Sequence, residues 1–385
     1  GALAHVLCHY GYVCRLKTRR SETSHAVERA GRTVRFGALI PSYREEPDFV
    51  YRAMLSVALQ RTEHKWLRLL IDDPPDPQSE DQALLLSSAR KLPRRVTDFL
   101  APLEKIARRA EIRGMRDRSE APRDLARAHR RLAFRFASLA RDWPDSTADD
   151  RFFRSHVLAE LAVSHAGEAM TVHTDANKAL ADLAGLRARF QCDVSAFERK
   201  RFANLSHAAN KAMNLNTGLD LIGKRVAEAD VAGERHLLED ASGGILFPQT
   251  DFVITRDADS LLSPSYAETL LAIATAEDAD DVAVVQTPYA ALPEPTSRLE
   301  RIAGATTDVQ RITHQGFHYF DAAFWVGANA VLRVAALRDI AIEDEERGHP
   351  IRRYIQDRTP IEDTESTIDL ALKGWGVHNH DAVLA

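Results

Sequence analysis

Only three cysteines, Cys8, Cys14 and Cys192, occur in the 385 residues, too few for a disulfide framework and suited to a reducing compartment. Long hydrophobic runs are missing as well. The opening stretch without Lys, Arg, Asp or Glu, residues 1–14, is too short to span a bilayer and carries His5 and His9. No charge of one sign dominates: 51 Lys and Arg stand against 56 Asp and Glu, so a net charge of −5 gives no global case for a nucleic-acid partner. G-x-S-x-G, G-x-G-x-x-G and the P-loop are all absent, which removes the fingerprints of nucleophile-elbow hydrolases, dinucleotide enzymes and P-loop NTPases. With 45% hydrophobic and 28% charged residues the chain is of ordinary globular composition and can bury a substantial core.

What is present reads as α/β with a helical insertion. Residues 34–40 (VRFGALI) form an apolar run stopped by Pro41, 47–60 have helical spacing, and 66–71 (WLRLLI) form a second apolar run stopped by Asp72-Asp73-Pro74. This strand, helix, strand order seeds a mostly parallel sheet. From Arg90 to Arg201 strand alternation disappears, and Leu125, Ala128, Leu132, Phe136 and Leu139 mark one helical stripe. Between Arg90 and Arg131 there are 14 Lys and Arg against 6 Asp and Glu; this basic face is either solvated or a docking surface for anionic lipid headgroups, a nucleic acid or an acidic partner. Strand signals return at 251–256, 281–286 and 322–326. The expected division is 1–33 as an N-terminal stub, 34–89 and 202–385 as two parts of one α/β domain, and 90–201 as the insertion. In the stub, Arg15, Lys17, Arg19 and Arg20 suit either the cytoplasmic flank of a membrane helix upstream or an ordinary surface terminus.

Acidic residues fall where open α/β sheets bind ligands, after the strands. Asp72 and Asp73 follow one strand and Asp257 and Asp259 another, the last two spaced to point the same way and grip a divalent cation that bridges two phosphates. Lys211, within residues 207–216, begins a polar cluster ahead of a helix, where it meets a phosphate or carboxylate, or where the Asn residues merely cap the helix. Glu362 and Asp363 precede a helical segment, and Asp363 is a candidate general base or a carboxylate favoured by the helix dipole. His314 and His318 share a helical spacing, but no third ligand is spaced to complete a metal site and Gly316 weakens a helix there.

Taken in order, ALIPSYREE (38–46), LLIDD (69–73), NKAMNLN (210–216), ITRDADSLLSPSY (254–266), VVQTPY (284–289), FWVGANAVLR (324–333) and IEDTESTIDLALKGW (361–375) resemble the processive, cellulose synthase-like branch of glycosyltransferase family 2. The resemblance implies a GT-A fold, a Rossmann-like nucleotide-sugar-binding domain, acting with Mg2+ or Mn2+ on a UDP-sugar and a growing β-glycan acceptor, with glucose as the best guess for the sugar. It implies that Pro41, Tyr43 and Glu45 line the nucleotide pocket, with Asp72 or Asp73 at the base. Lys211 would contact the diphosphate, Asp257 and Asp259 would hold the metal, Asp363 beside Glu362 would be the catalytic base, and Trp325, Gly327, Ala328 and Asn329 would form the acceptor rim. The family's Q-x-x-R-W motif and channel helices are not found, so the chain is expected to be a catalytic piece of a larger membrane protein at the cytoplasmic face of the plasma membrane. The competing reading is a catalytically weak nucleotide-sugar-binding or membrane-docking module.

Overall fold

The computed structural model describes residues 2–18, 34–240, 242–291, 297–327, 329–359 and 361–384. Arg19, Arg20 and Ala328 therefore lie outside the described residues. The helices are α1 (Ala2–Thr18), α2 (Pro47–Ala58), α3 (Glu80–Arg116), α4 (Ala121–Asp142), α5 (Ala148–Phe152), α6 (Ala159–Met170), α7 (Ala176–Arg189), α8 (Lys211–Asp220), α9 (Tyr266–Ala274), α10 (Arg298–Tyr319), α11 (Val334–Asp339) and α12 (Glu362–Leu372). The strands are β1 (Phe36–Ser42), β2 (Lys65–Ile71), β3 (Cys192–Phe197), β4 (Arg225–Val231), β5 (Glu234–Glu239), β6 (Ile245–Leu246), β7 (Phe252–Thr255), β8 (Val282–Gln286), β9 (Ala330–Arg333), β10 (Ile342–Glu346), β11 (His349–Arg353) and β12 (Gly376–Asn379).

One seven-stranded sheet, in the order β12-β8-β9-β7-β1-β2-β3, organises the protein. Its strands run parallel except β9, which pairs antiparallel with both β7 and β8. The chain is thus mixed α/β about a largely parallel sheet. Every residue of β1 and β2 is buried, which explains why both read as continuous apolar runs rather than alternating ones. Side chains still alternate between two cores: Phe36, Ala38, Ile40, Leu67, Leu69 and Ile71 face one, Leu39, Trp66 and Leu70 the other. Because six strands share one direction, Ser42, Asp72, Arg256 and Thr287 leave the sheet at the same edge, and Asn329 enters β9 there.

Helices α3 to α7 cover the first face. The stripe Leu125, Ala128, Leu132 and Phe136 is buried, with Leu139 packed against it, and the core continues without a break from the sheet into these helices. Much of their basic charge is paired: Asp124 meets Arg113 and Arg127, and Arg187 meets Glu104 and Glu111.

Several elements differ from the sequence reading. Helix α3 begins at Glu80 rather than near Arg90, and β3 occupies Cys192–Phe197, inside the segment read as purely helical. Strand β3 is a partly exposed edge carrying Asp193 and Ser195, so it lacks the apolar signature of its neighbours. The run 322–326 is a loop, not a strand; it is apolar because Trp325 fills the second core and Phe324 packs on His314 and Phe317. Helix α10 runs through Gly316, and the opening residues form α1 against it. At their crossing a Cβ on Gly316 would lie 2.0 Å from the Cys8 carbonyl oxygen, and one on Gly11 2.7 Å from that of Gly316. Among the described residues no helix is long and apolar enough to cross a membrane.

Candidate active site

A cleft of about 530 Å3 opens at the strand edge just described, lined by Pro41, Tyr43, Glu45, Asp72, Lys211, Asp257 and Asp259 among others. Its floor is set by β1 and β2. The Asp72 amide donates to the Ser42 carbonyl oxygen at 2.8 Å, and Asp72 then receives Arg199 Nε at 2.8 Å and Lys200 Nζ at 3.1 Å. Arg199 is fully buried and also donates to the carbonyls of Ser206 and Ala208, so it fastens the loop ahead of α8 to the floor. Asp73 is also buried and accepts the Arg44 amide at 3.2 Å.

One wall is the N-terminus of α8. Asn210 caps it by accepting the Met213 amide at 2.7 Å, and Lys211 is its first residue. The asparagine thus caps the helix, and the lysine projects to the cleft, where it pairs with Asp257. Helix N-terminal amides and two lysines, Lys200 and Lys211, make this wall suited to an anion. Asn214 adds a buried amide whose nitrogen donates to the Leu70 carbonyl at 2.9 Å, leaving Oδ1 without a partner among the described residues.

Acid collects beside it: Glu45, Asp257 and Asp259 line the same cleft. Burial first, then Asp259, Asp257 and Asp73 in turn, raise the Glu45 carboxyl above its ordinary range. That surplus of negative charge on carboxylates is of the kind a hard divalent cation such as Mg2+ or Mn2+ offsets, although the three carboxylates do not converge into a closed cage. Behind the pair, Arg256 is wholly buried and held by the Ala53 carbonyl and Ser56 hydroxyl at 2.9 and 2.7 Å; desolvation lowers its pKa to about 10.

Asp363 stands in the first turn of α12 and, with Glu362, Trp325, Gly327 and Lys211, lines a smaller pocket adjoining the cleft. Gly327 has φ +93°, and a Cβ there would lie 3.0 Å from Asp363 Oδ2, so the glycine both adopts a backbone that side chains resist and leaves room for the carboxylate. Asn329 is likewise in the left-handed region, at φ 59°, with its amide on the Thr255 carbonyl at 2.8 Å. Trp325 is 2% exposed, so its ring is core packing and does not present an open face for stacking.

Beyond Asp259 a second cavity of about 520 Å3 is bounded by Phe152, His156 and Glu160, by Tyr289 and by Asn329. Burial, with Asp257 and Asp363 nearby, pushes the Tyr289 phenol well up, and its hydroxyl donates to the Val326 carbonyl at 3.0 Å. The sequence reading missed Lys200, Arg199 and Tyr289; the basic run Arg199-Lys200-Arg201 was the available signal for the first two. It also missed the insertion's share in this cavity, which no local pattern announces.

No curated protein sequence matches the chain. Among solved structures, a mannosyltransferase from Pyrobaculum calidifontis in complex with GDP-Man and Mn2+ matches at 10% identity and a TM-score of 0.39, over 99% of this chain. This chain spans 66% of that protein's length. Residues 252–384, which carry Asp257, Asp259, Gly327 and Asp363, match the family model described as glycosyl transferase family group 2.

Proposed function

We propose that this chain is the GT-A catalytic domain of an inverting, divalent-cation-dependent glycosyltransferase that uses a nucleotide sugar, with UDP-glucose the best candidate donor and a growing β-glycan the acceptor. The observation that carries the reading is one cleft lined both by two lysines, Lys200 and the Lys211 that opens α8, and by three carboxylates, Glu45, Asp257 and Asp259, with Asp363 in the adjoining pocket. The family match over 252–384 supports it.

In this reading the nucleotide lies over Pro41 and Tyr43 with its diphosphate toward Lys211 and the amides of α8. Asp257 and Asp259 hold a divalent cation, which when bound offsets charge on the diphosphate. Asp363 takes the proton of an acceptor hydroxyl as that oxygen bonds to the anomeric carbon, and the bond from that carbon to the phosphate oxygen breaks with its electron pair leaving on UDP. Inversion needs one such base and no covalent nucleophile. The cavity between Tyr289, Asn329 and the insertion is the room available to the acceptor. Attachment to the cytoplasmic face of a membrane, through parts of a larger protein, belongs to the same proposal.

Calorimetric titration with UDP and UDP-glucose, each with Mn2+, Mg2+ or EDTA, tests the donor side. Binding should need the cation and be lost in Asp259→Ala; cation-independent binding, or none by either nucleotide, would overturn the reading.

A further inference from the structure

The insertion contains a second constellation, remote from the cleft. His129 on α4 and His165 on α6 are 6% and 3% exposed, and Glu168 lies one turn beyond His165. His129 Nδ1 is 3.0 Å from His165 Nδ1, and Glu168 Oε2 is 2.9 Å from the first and 3.4 Å from the second. Among the described residues this is the only group of three or more His, Cys, Asp or Glu side chains whose ligand atoms converge closely enough to hold an ion.

Protons alone serve this arrangement badly. A neutral imidazole carries one N–H. If both Nδ1 atoms carry the proton, two N–H groups confront each other at 3.0 Å; if one does not, its lone pair faces the carboxylate. A cation among the three atoms satisfies all of them at once.

The dimensions agree. The three separations place the atoms on a circle of radius about 1.8 Å, so a point at the zinc–ligand distance of about 2.0–2.1 Å from each lies about 1 Å out of their plane. The other carboxylate oxygen, Oε1, is oriented by the Ser164 hydroxyl at 3.3 Å and by Arg189 at 3.5 Å, leaving Oε2 for the histidines. The His165 ring is stacked on Phe136, with centroids 5.6 Å apart and planes 14° apart, which fixes its direction.

We infer that His129, His165 and Glu168 bind a divalent transition metal, Zn2+ by the two-nitrogen, one-oxygen donor set, as a clip between α4 and α6. The clip is structural. Arg189, which orients Glu168, ends α7 just before β3, and Lys65 at the start of β2 donates to the Arg189 carbonyl. The metal therefore fixes the insertion to the edge of the sheet opposite the cleft.

The test removes the competing carboxylates first. The Asp257→Ala/Asp259→Ala chain, stripped with chelator and dialysed against Zn2+, should retain one metal per chain, and Co2+ in its place should give the visible absorption of a low-coordinate site. Adding His165→Gln or His129→Gln should abolish both signals. In the chain without substitutions, Zn2+ should raise the melting temperature above that in EDTA, a reading that stands even if the histidine variants do not fold. No zinc retained, uptake unchanged in a folded histidine variant, or no melting shift would overturn the site. Since the first measurement is made without Asp257 and Asp259, its failure leaves the transferase reading untouched.

Discussion

Asp72 and Asp257 follow β2 and β7, the two strands that flank β1, yet the charge around them is managed in opposite ways. Asp72 is buried and meets two cations, one of them the wholly enclosed Arg199. Asp257 is half open and, among the described residues, its carboxylate meets Lys211 alone, while Asp259 and Glu45 add negative charge nearby. Neutralisation on the first side locks the loop before α8 in position; the second side keeps a surplus of negative charge, which in the proposed function would receive a cation. One side of the cleft is built as a frame and the other as a binding surface.

If that division is right, the largest functional loss should come from the open side. Asp363→Asn keeps the shape of the pocket but removes the base, and turnover should fall by roughly 10²–10⁴-fold with donor affinity nearly unchanged. Turnover within a factor of two of the parent would remove Asp363 from the chemistry.

The largest stability loss should come from the closed side. Arg199→Met leaves Asp72 with Lys200 alone, and breaking such a buried pair costs on the order of 3 kcal/mol in denaturant unfolding. Lys211→Met breaks a pair that is 39% and 43% exposed and should change stability by less than about 1 kcal/mol while weakening donor binding. A reversal of these two results would dissolve the contrast between frame and binding surface.

The smallest effect is one of pH. Glu45 has a raised carboxyl pKa, so in the folded chain it keeps its proton to higher pH than an ordinary glutamate does. A cation entering beside Asp257 and Asp259 favours the ionised form and expels that proton. Mn2+ affinity should therefore climb as pH rises through the raised carboxylate range and level off above it, and Glu45→Gln should flatten the climb. Folding stability runs the other way, declining over the same rise in pH as the folded state loses its proton advantage.

The parts of this molecule that sequence reveals are those where one residue type suffices for one physical demand. Strands β1 and β2 are buried on both faces and can only be apolar, and the stripe from Leu125 to Phe136 is helical by its period; Asp257-Ala258-Asp259, read as extended, instead forms a turn after β7. Strand β3 and the hairpin of β10 and β11 were hidden because partly exposed strands admit Asp, Glu and Arg as readily as a loop does. Trp325 illustrates the reverse error, an apolar run that serves the core without joining the sheet. His129 and His165, 36 positions apart on different helices, share no spacing rule, so only the packing of α6 on α4 brings them together.

The crossing of α1 and α10 sets a limit on how this chain can diverge. A side chain added at Gly316 would strike a carbonyl oxygen rather than a neighbouring side chain, and Gly11, facing it, has nothing left to give up. Compensation by a second substitution is therefore closed at this contact: a homologue that loses either glycine must move a whole helix, so the two positions should be kept together or lost together.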